Sequence, residues 1–225
     1  MRATAIVPVK RFSHAKQRLA KALSPQARQE LCREMLGDVL EAIGESSQIE
    51  RTIVVTREWD LPVVEAPWTG VSDKRRSTHS GAATLGVRRA LADGAECVAI
   101  LPGDCPLLDP AELNGALRRA KPGRVAIVPD RHGSGTNALI MSPPDAIEPA
   151  FGPGSRERHE KLARGFGHAV AVERLYSLSI DVDTYEDLTV IRQALDRNPG
   201  LAPRTAAKLA ELRRDVESAA RKGQV

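Results

Sequence analysis

The stretch Val98-Ala-Ile-Leu-Pro-Gly-Asp-Cys-Pro-Leu-Leu108 decides how the chain folds. Residues 98–101 are apolar and read as a buried strand, which Pro102-Gly103 then breaks. Asp104 is left at the carboxyl end of that strand, where open parallel sheets place their ligands. With no cationic neighbour in sequence, a carboxylate there suits a hard divalent ion that carries phosphates. The other role for an aspartate at this point is to cap the next helix. Asp109 suits that role better, because it leads Pro110 and Glu112 in a capping-box arrangement.

Working outward, strands and helices alternate on both sides. Before the central stretch come a strand over 4–7, ended by Pro8, and a helix that Ser24 caps, Pro25 opens and Gly44 ends. Leu31, Met35, Val39 and Ile43 give that helix one apolar face. Residues 51–56 read as a second buried strand and 61–65 as a short third. A polar loop over 67–80 then leads into a helix over 81–92. Beyond the central stretch follow a helix over 110–120, strands over 124–129 and 137–141, and a polar helix over 156–164 with Ser155 as its N-cap. Residues 169–172 and 178–182 are β-prone, and Thr184 caps a last helix that ends near Asp196. This order predicts an α/β fold, a mixed, mainly parallel sheet flanked by helices in a Rossmann-like arrangement. Residues 1–198 form the domain, and 199–225 a C-terminal helical extension. In the extension Leu209, Leu212, Val216 and Ala219 make a narrow apolar stripe, suited to the body of the protein or to a second copy in a homodimer.

Composition limits the function. Hydrophobic residues make up 42% and charged residues 28% of the 225, ordinary for a globular protein. Aromatics reach only 3%, which argues against a base-stacking nucleic-acid platform. The net charge of +4 suits small anionic substrates, and no nucleic-acid-binding signature accompanies it. Cys32, Cys97 and Cys105 lack metal-type spacing and an even count, which points to a reduced, cytoplasmic protein. No signal-peptide core or membrane-length apolar run is present, so no membrane partner is expected.

The residues suited to chemistry follow or end strands. Lys10, Arg11, Lys16 and Arg18 come after the first strand, and can serve as a solvated basic loop or as phosphate ligands. The loop Asp130-Arg-His-Gly-Ser-Gly-Thr136 has glycines that let backbone approach a ligand, or make an ordinary hairpin turn. Phe151-Gly-Pro-Gly-Ser155 opens a helix, which is either an anion site or plain capping. Asp181 and Asp183 lie on one face if their segment is a strand, and two like charges that close favour a bound cation.

Five motifs in this order resemble a known family. They are Val-Pro-Val-Lys-Arg with Ala-Lys-Gln-Arg-Leu, Leu-Pro-Gly-Asp-Cys-Pro-Leu, Pro-Asp-Arg-His-Gly-Ser-Gly-Thr-Asn-Ala-Leu, Phe-Gly-Pro-Gly-Ser with a following His, and Asp-Val-Asp-Thr with Asp-Leu. The chain resembles, over about residues 4–195, the guanylyltransferases that activate 2-phospho-L-lactate, phosphoenolpyruvate or 3-phospho-D-glycerate in coenzyme F(420) biosynthesis. The resemblance implies a nucleotide-diphospho-sugar transferase fold of the glycosyltransferase-A type, GTP and a small phosphorylated acid as substrates, and Mg²⁺. It casts Lys10 and Asp104 as catalytic, with Lys10, Lys16, Arg18 and Gly103 on the nucleotide phosphates. It assigns Asp104 and Asp183, with Asp181, to the metal, and Thr136, Gly152 and Ser155 to the acceptor. His132 and His159 are further candidates for acceptor contacts. Where the family carries a Leu-Asn-type stretch before the central helix, this chain has Ser77-Thr-His-Ser-Gly81, which makes Thr78, His79, Ser80 and Gly81 the candidates for reading the nucleotide. A transferase using another base or acceptor (a cytidylyltransferase or the molybdenum-cofactor type) and a non-catalytic nucleotide-binding regulator stand as alternatives.

Overall fold

The computed structural model describes residues 2–73 and 78–222, with side chains as far as Arg214. Ser77, and the side chains of Val216 and Ala219, lie outside the described residues. Among the described residues seven strands form one sheet: β1 (Ala3–Val9), β2 (Ile49–Thr56), β3 (Thr69–Ser72), β4 (Val98–Ile100), β5 (Arg124–Pro129), β6 (Thr136–Ser142) and β7 (Ala169–Val172). Their order across the sheet is β3-β2-β1-β4-β6-β5-β7. Only β6 runs against its neighbours β4 and β5, so the sheet is mixed and mainly parallel, as expected.

Among the described residues six helices cover it: α1 (Pro25–Gly44), α2 (His79–Ala92), α3 (Pro110–Arg118), α4 (Ser155–Gly165), α5 (Tyr185–Arg197) and α6 (Pro203–Lys222). Side chains alternate along each strand, so the sheet feeds two cores. Ala5, Val7, Val54 and Ala99 face one core, with Leu31 and Met35 of α1, Leu113 of α3, Leu188 of α5 and Leu209 of α6. Ile6, Ile53, Val55 and Ile100 face the other, with Ala83 and Val87 of α2 and Ala163 of α4. Helix α2 lies close on β1 because Gly86 has no side chain; a Cβ there would sit 2.3 Å from Ile6 Cγ2. That contact sets where the amino end of α2 meets the crevice.

Several boundaries differ from expectation. Pro8 does not end β1 but sits inside it, opposite Val55. The N–H of Thr4 and the carbonyl of Ile6 bond toward β4, so Pro8 faces the same side, where β4 has already ended at Ile100. Its missing N–H therefore costs no ladder bond. The third strand is Thr69–Ser72, from the run read as polar loop, and not 61–65. It is an edge strand with little burial, so it carries no apolar pattern, whereas Pro62 cannot donate to a ladder and Val63 is exposed. Residues 178–182 form no strand either. The segment begins in a 3₁₀ turn (Tyr176–Leu178) and is held where Val182 N–H meets the Asp104 carbonyl at 3.2 Å. Asp109 caps α3 through the Ala111 N–H at 2.7 Å, but Glu112 closes no box and instead accepts from Ser177 N–H at 2.9 Å.

Helix α6 is joined to α1 by charge as well as apolar contact. Asp38 of α1 is buried, and its carboxylate accepts the N–H groups of Arg204 (3.1 Å) and Thr205 (2.8 Å). One aspartate thus caps a helix 166 residues away in sequence. No helix among the described residues is long and apolar enough to cross a membrane.

Candidate active site

The crevice opens beyond the carboxyl ends of β1 and β4. At its centre Lys16 Nζ lies between two carboxylates, paired with Asp104 and, at 2.8 Å, with Asp183. Lys16 comes from the loop after β1, Asp104 from the break after β4, and Asp183 from the segment before α5. The lysine side chain is only 5% exposed, so both acids serve a buried cation. Its backbone takes the left-handed conformation, φ 53°, between 3₁₀ turns Phe12–His14 and Gln17–Leu19. A non-glycine residue there costs roughly 1–3 kcal/mol, strain that points the ammonium inward. The electrostatics follow the geometry. Burial opposes the charge on Lys16, yet the two carboxylates hold its pKa well above the ordinary lysine value. Burial likewise works to raise Asp104, and the Lys16 ammonium overrides it and holds the carboxyl below its usual range. Asp181 is pushed up by burial and by the charges of Asp104 and Asp183, which outweigh the Lys16 ammonium.

Two carboxylate oxygens converging on one cationic atom fit a divalent cation. Among the described residues no group of three or more His, Cys, Asp or Glu side chains has a metal-holding arrangement. Such an ion would therefore lean on Asp104 and Asp183 and complete its shell with phosphate and water oxygens, as Mg²⁺ does.

Two cavities flank this centre. One, of about 260 Å³, is lined by Lys10, Lys16, His79, Gly103, Asp104 and Asp183. Gly103 packs closely there: a Cβ would come to 3.1 Å from Leu36 Cδ1, so that side chain would have to give by a few tenths of an ångström. The other, of about 310 Å³, is lined by Lys10, Arg11, Arg57, Asp73, Thr78 and His79, among others. Lys10 and His79 belong to both, so the two are parts of one groove. The basic loop is held by Glu58, whose carboxylate accepts the Phe12 N–H at 2.9 Å, while Arg11 lies 5.7 Å over the exposed Trp59 ring. Thr78 caps α2 by accepting the Gly81 N–H at 3.2 Å. Burial pushes the His79 imidazole below its ordinary pKa.

The loop 150–154 lies against the amino end of α2. Ser80 Oγ accepts its Phe151 N–H at 2.9 Å, and the Phe151 ring stands edge-on between His79 and His159, at 4.9 and 5.2 Å. Arg158 braces the loop by donating to the Ala150 carbonyl (3.0 Å) and the Pro153 carbonyl (2.5 Å). Gly152 and Gly154 have φ 113° and 69°, which side chains rarely adopt. Gly154 is the N-cap of α4, so Ser155, expected as the cap, is instead its first helical residue, buried, with its own N–H taken by the Gly152 carbonyl at 3.0 Å. The hairpin between β5 and β6 also differs from an open anion cradle. Asp130 occupies the N–H groups of Gly133 and Ser134, with its backbone carbonyl at 3.0 Å and its carboxylate at 3.1 Å, and a Cβ at Gly135 would sit 2.6 Å from that carboxylate and force it to shift.

Thr136, at the head of β6, and His159 of α4 meet behind this loop at 3.0 Å. Burial and the Arg158 charge push the His159 imidazole down to about 4. A histidine held neutral in the fold but free to protonate when unfolded contributes stability that is present above its unfolded pKa of 6.5. That contribution is lost progressively as pH falls toward about 4. Denaturant melts at pH 7 and pH 4.5 should therefore show the wild type losing up to about 3 kcal/mol more than a His159→Asn variant.

Not every expected residue joins the site. Arg18 is exposed and lines neither cavity. His132 lies in a separate cavity of about 300 Å³ with Arg131, Arg156 and Arg174, away from Asp104. Conversely, Asp73 and Arg57 line the groove without having been expected to. Asp73 follows the edge strand that the sequence did not reveal, and only its place after a strand could have marked it.

Comparison with known proteins adds a family. The family model "Guanylyl transferase CofC like" matches residues 3–195. Phosphoenolpyruvate guanylyltransferase of Conexibacter woesei is 38% identical over 214 residues, 93% of this chain and 96% of that one. 2-phospho-L-lactate guanylyltransferase of Methanothermobacter thermautotrophicus is 35% identical, over 84% of this chain and 83% of its own. Among solved structures, a chain from Desulfovibrio desulfuricans classed with the nucleotide-diphospho-sugar transferases superposes at TM-score 0.72, with 18% identity over 95% of this chain and 98% of that one, a likeness of fold.

Proposed function

The chain belongs to the family of CofC-like guanylyl transferases, and from that premise we propose that it transfers GMP from GTP to the phosphate of a small phosphorylated carboxylic acid and releases pyrophosphate. Phosphoenolpyruvate, 2-phospho-L-lactate and 3-phospho-D-glycerate are the acceptors, and coenzyme F(420) biosynthesis is the setting; the first two are named in its relatives. The observation that carries this reading is the Lys16 ammonium held by Asp104 and Asp183 in the groove that Lys10 and His79 also line.

The acceptor phosphate is mostly dianionic near neutral pH, since its second pKa is about 6. It needs no general base. It needs alignment against the α-phosphorus of GTP and neutralisation of charge on two anions. Lys10, shared by both cavities, takes the triphosphate along the groove, with Lys16 nearer the reacting phosphorus. Thr78, His79, Ser80 and Gly81 position the nucleotide at the amino end of α2, where backbone N–H groups favour its phosphates. Thr136, Gly152 and Ser155 hold the acceptor. Asp104 and Asp183, with Asp181 beside them, would hold Mg²⁺, which when bound supplies further charge neutralisation on the phosphates.

A pyrophosphate-release assay over the three acceptors, with GTP and Mg²⁺, tests the proposal. Release with GTP and at least one acceptor is expected. Release with CTP in its place, or GTP binding without release for every acceptor, would replace it with the cytidylyl or regulatory alternative.

A further inference from the structure

His159 is fully buried on α4 and both of its ring nitrogens are engaged. Nε2 lies 2.9 Å from the backbone nitrogen of Ala150, which can only donate. Nε2 is therefore an acceptor, and in the neutral ring the single proton must reside on Nδ1. That nitrogen lies 3.0 Å from Thr136 Oγ1. The opposite tautomer would set an N–H against the Ala150 N–H, two donors face to face in a buried place, with neither hydrogen bond made.

We propose that His159 is a positioning residue for the acceptor: by donating from Nδ1 to Thr136 Oγ1, it leaves the threonine hydroxyl proton free to be donated to the acceptor's phosphate. No other partner of that hydroxyl exists among the described residues. The same imidazole anchors Ala150 at the start of the Gly152 loop, so one ring sets both the donor and the cradle. This goes beyond a direct contact between His159 and the acceptor, and it rests on the acceptor site proposed above.

Two measurements separate the inference from that reading. Nitrogen-15 spectra of the imidazole in the unliganded protein at pH 7 report the tautomer without any substrate. A protonated Nδ1 is expected, and a protonated Nε2 would overturn the inference. Steady-state kinetics with phosphoenolpyruvate then compare two amides. Asn places its N–H₂ near Nδ1 and keeps the donor to Thr136, whereas Gln reaches the Nε2 position and keeps only the Ala150 anchor. His159→Gln and Thr136→Val should each raise the acceptor KM about tenfold to a hundredfold, with the GTP KM unchanged. His159→Asn should stay within about threefold of wild type, and His159→Gln combined with Thr136→Val should add little further. If the histidine only holds the loop, the order of Asn and Gln reverses and both substrates' KM values rise together. Absence of wild-type turnover with every acceptor would instead defeat the proposed function, and the tautomer result would still stand by itself.

Discussion

Replacing Asp104 with asparagine is expected to lower pyrophosphate release by about a hundredfold to a thousandfold, the usual loss when a preorganised charge at a reacting phosphate is removed. The fold should survive. The bond that docks the acidic segment uses the Asp104 backbone carbonyl, which the substitution keeps, and Lys16 retains Asp183 as a partner. Circular dichroism and a melting temperature within a few degrees of wild type would establish that the loss is chemical. Asp181→Asn should cost far less, because Asp181 has no bond to the Lys16 ammonium. Near-normal turnover in Asp104→Asn would remove Asp104 from the centre of the reaction.

Lys16→Met keeps the length and apolar stem of the side chain and deletes only the charge. A loss in kcat of at least about a hundredfold is expected, since the ammonium is the cation already placed at the centre. The variant should also bind Mg²⁺ or Mn²⁺ more tightly in calorimetry without nucleotide, because Asp104 and Asp183 no longer have an internal cation. Its stability should change with a defined sign. Asp104 is held below its unfolded pKa by Lys16, so its contribution is present above the unfolded value and lost as pH falls through the folded one. The wild type's advantage over Lys16→Met should accordingly be full at neutral pH and shrink in acid. Unchanged turnover together with unchanged metal affinity would show that the Lys16 ammonium serves only the packing of the loop and not the reaction.

Much of the fold was legible because its signals are local. Ser24-Pro25, Thr184 and the apolar face of α1 each specify a helix from adjacent residues, and each is found. The apolar runs that became β1, β2, β4, β5 and β6 are central strands, buried on both faces, and they read as such. What failed to read was marginal or borrowed. Thr69–Ser72 is a strand because β2 offers it an edge, whereas 178–182 pairs with no strand and is instead held on the Asp104 carbonyl. Ser155 was read as a cap from its residue type, but the left-handed turn at Gly154 takes that position.

By itself the sequence determined the order of strands and helices, the strand-end placement of Asp104, and the motifs that a family shares. Those rest on backbone propensity, hydrophobic period and residue identity, all of which are properties of short stretches. Only the tertiary structure decided that Lys16 sits between Asp104 and Asp183, 88 and 167 residues away. It alone separated His132 from the crevice, joined α6 to α1 through Asp38, and set His159 behind Thr136. Electrostatic and hydrogen-bond partners act over a few ångströms, and which groups come that close is fixed by the crossovers of the sheet rather than by any neighbour along the chain.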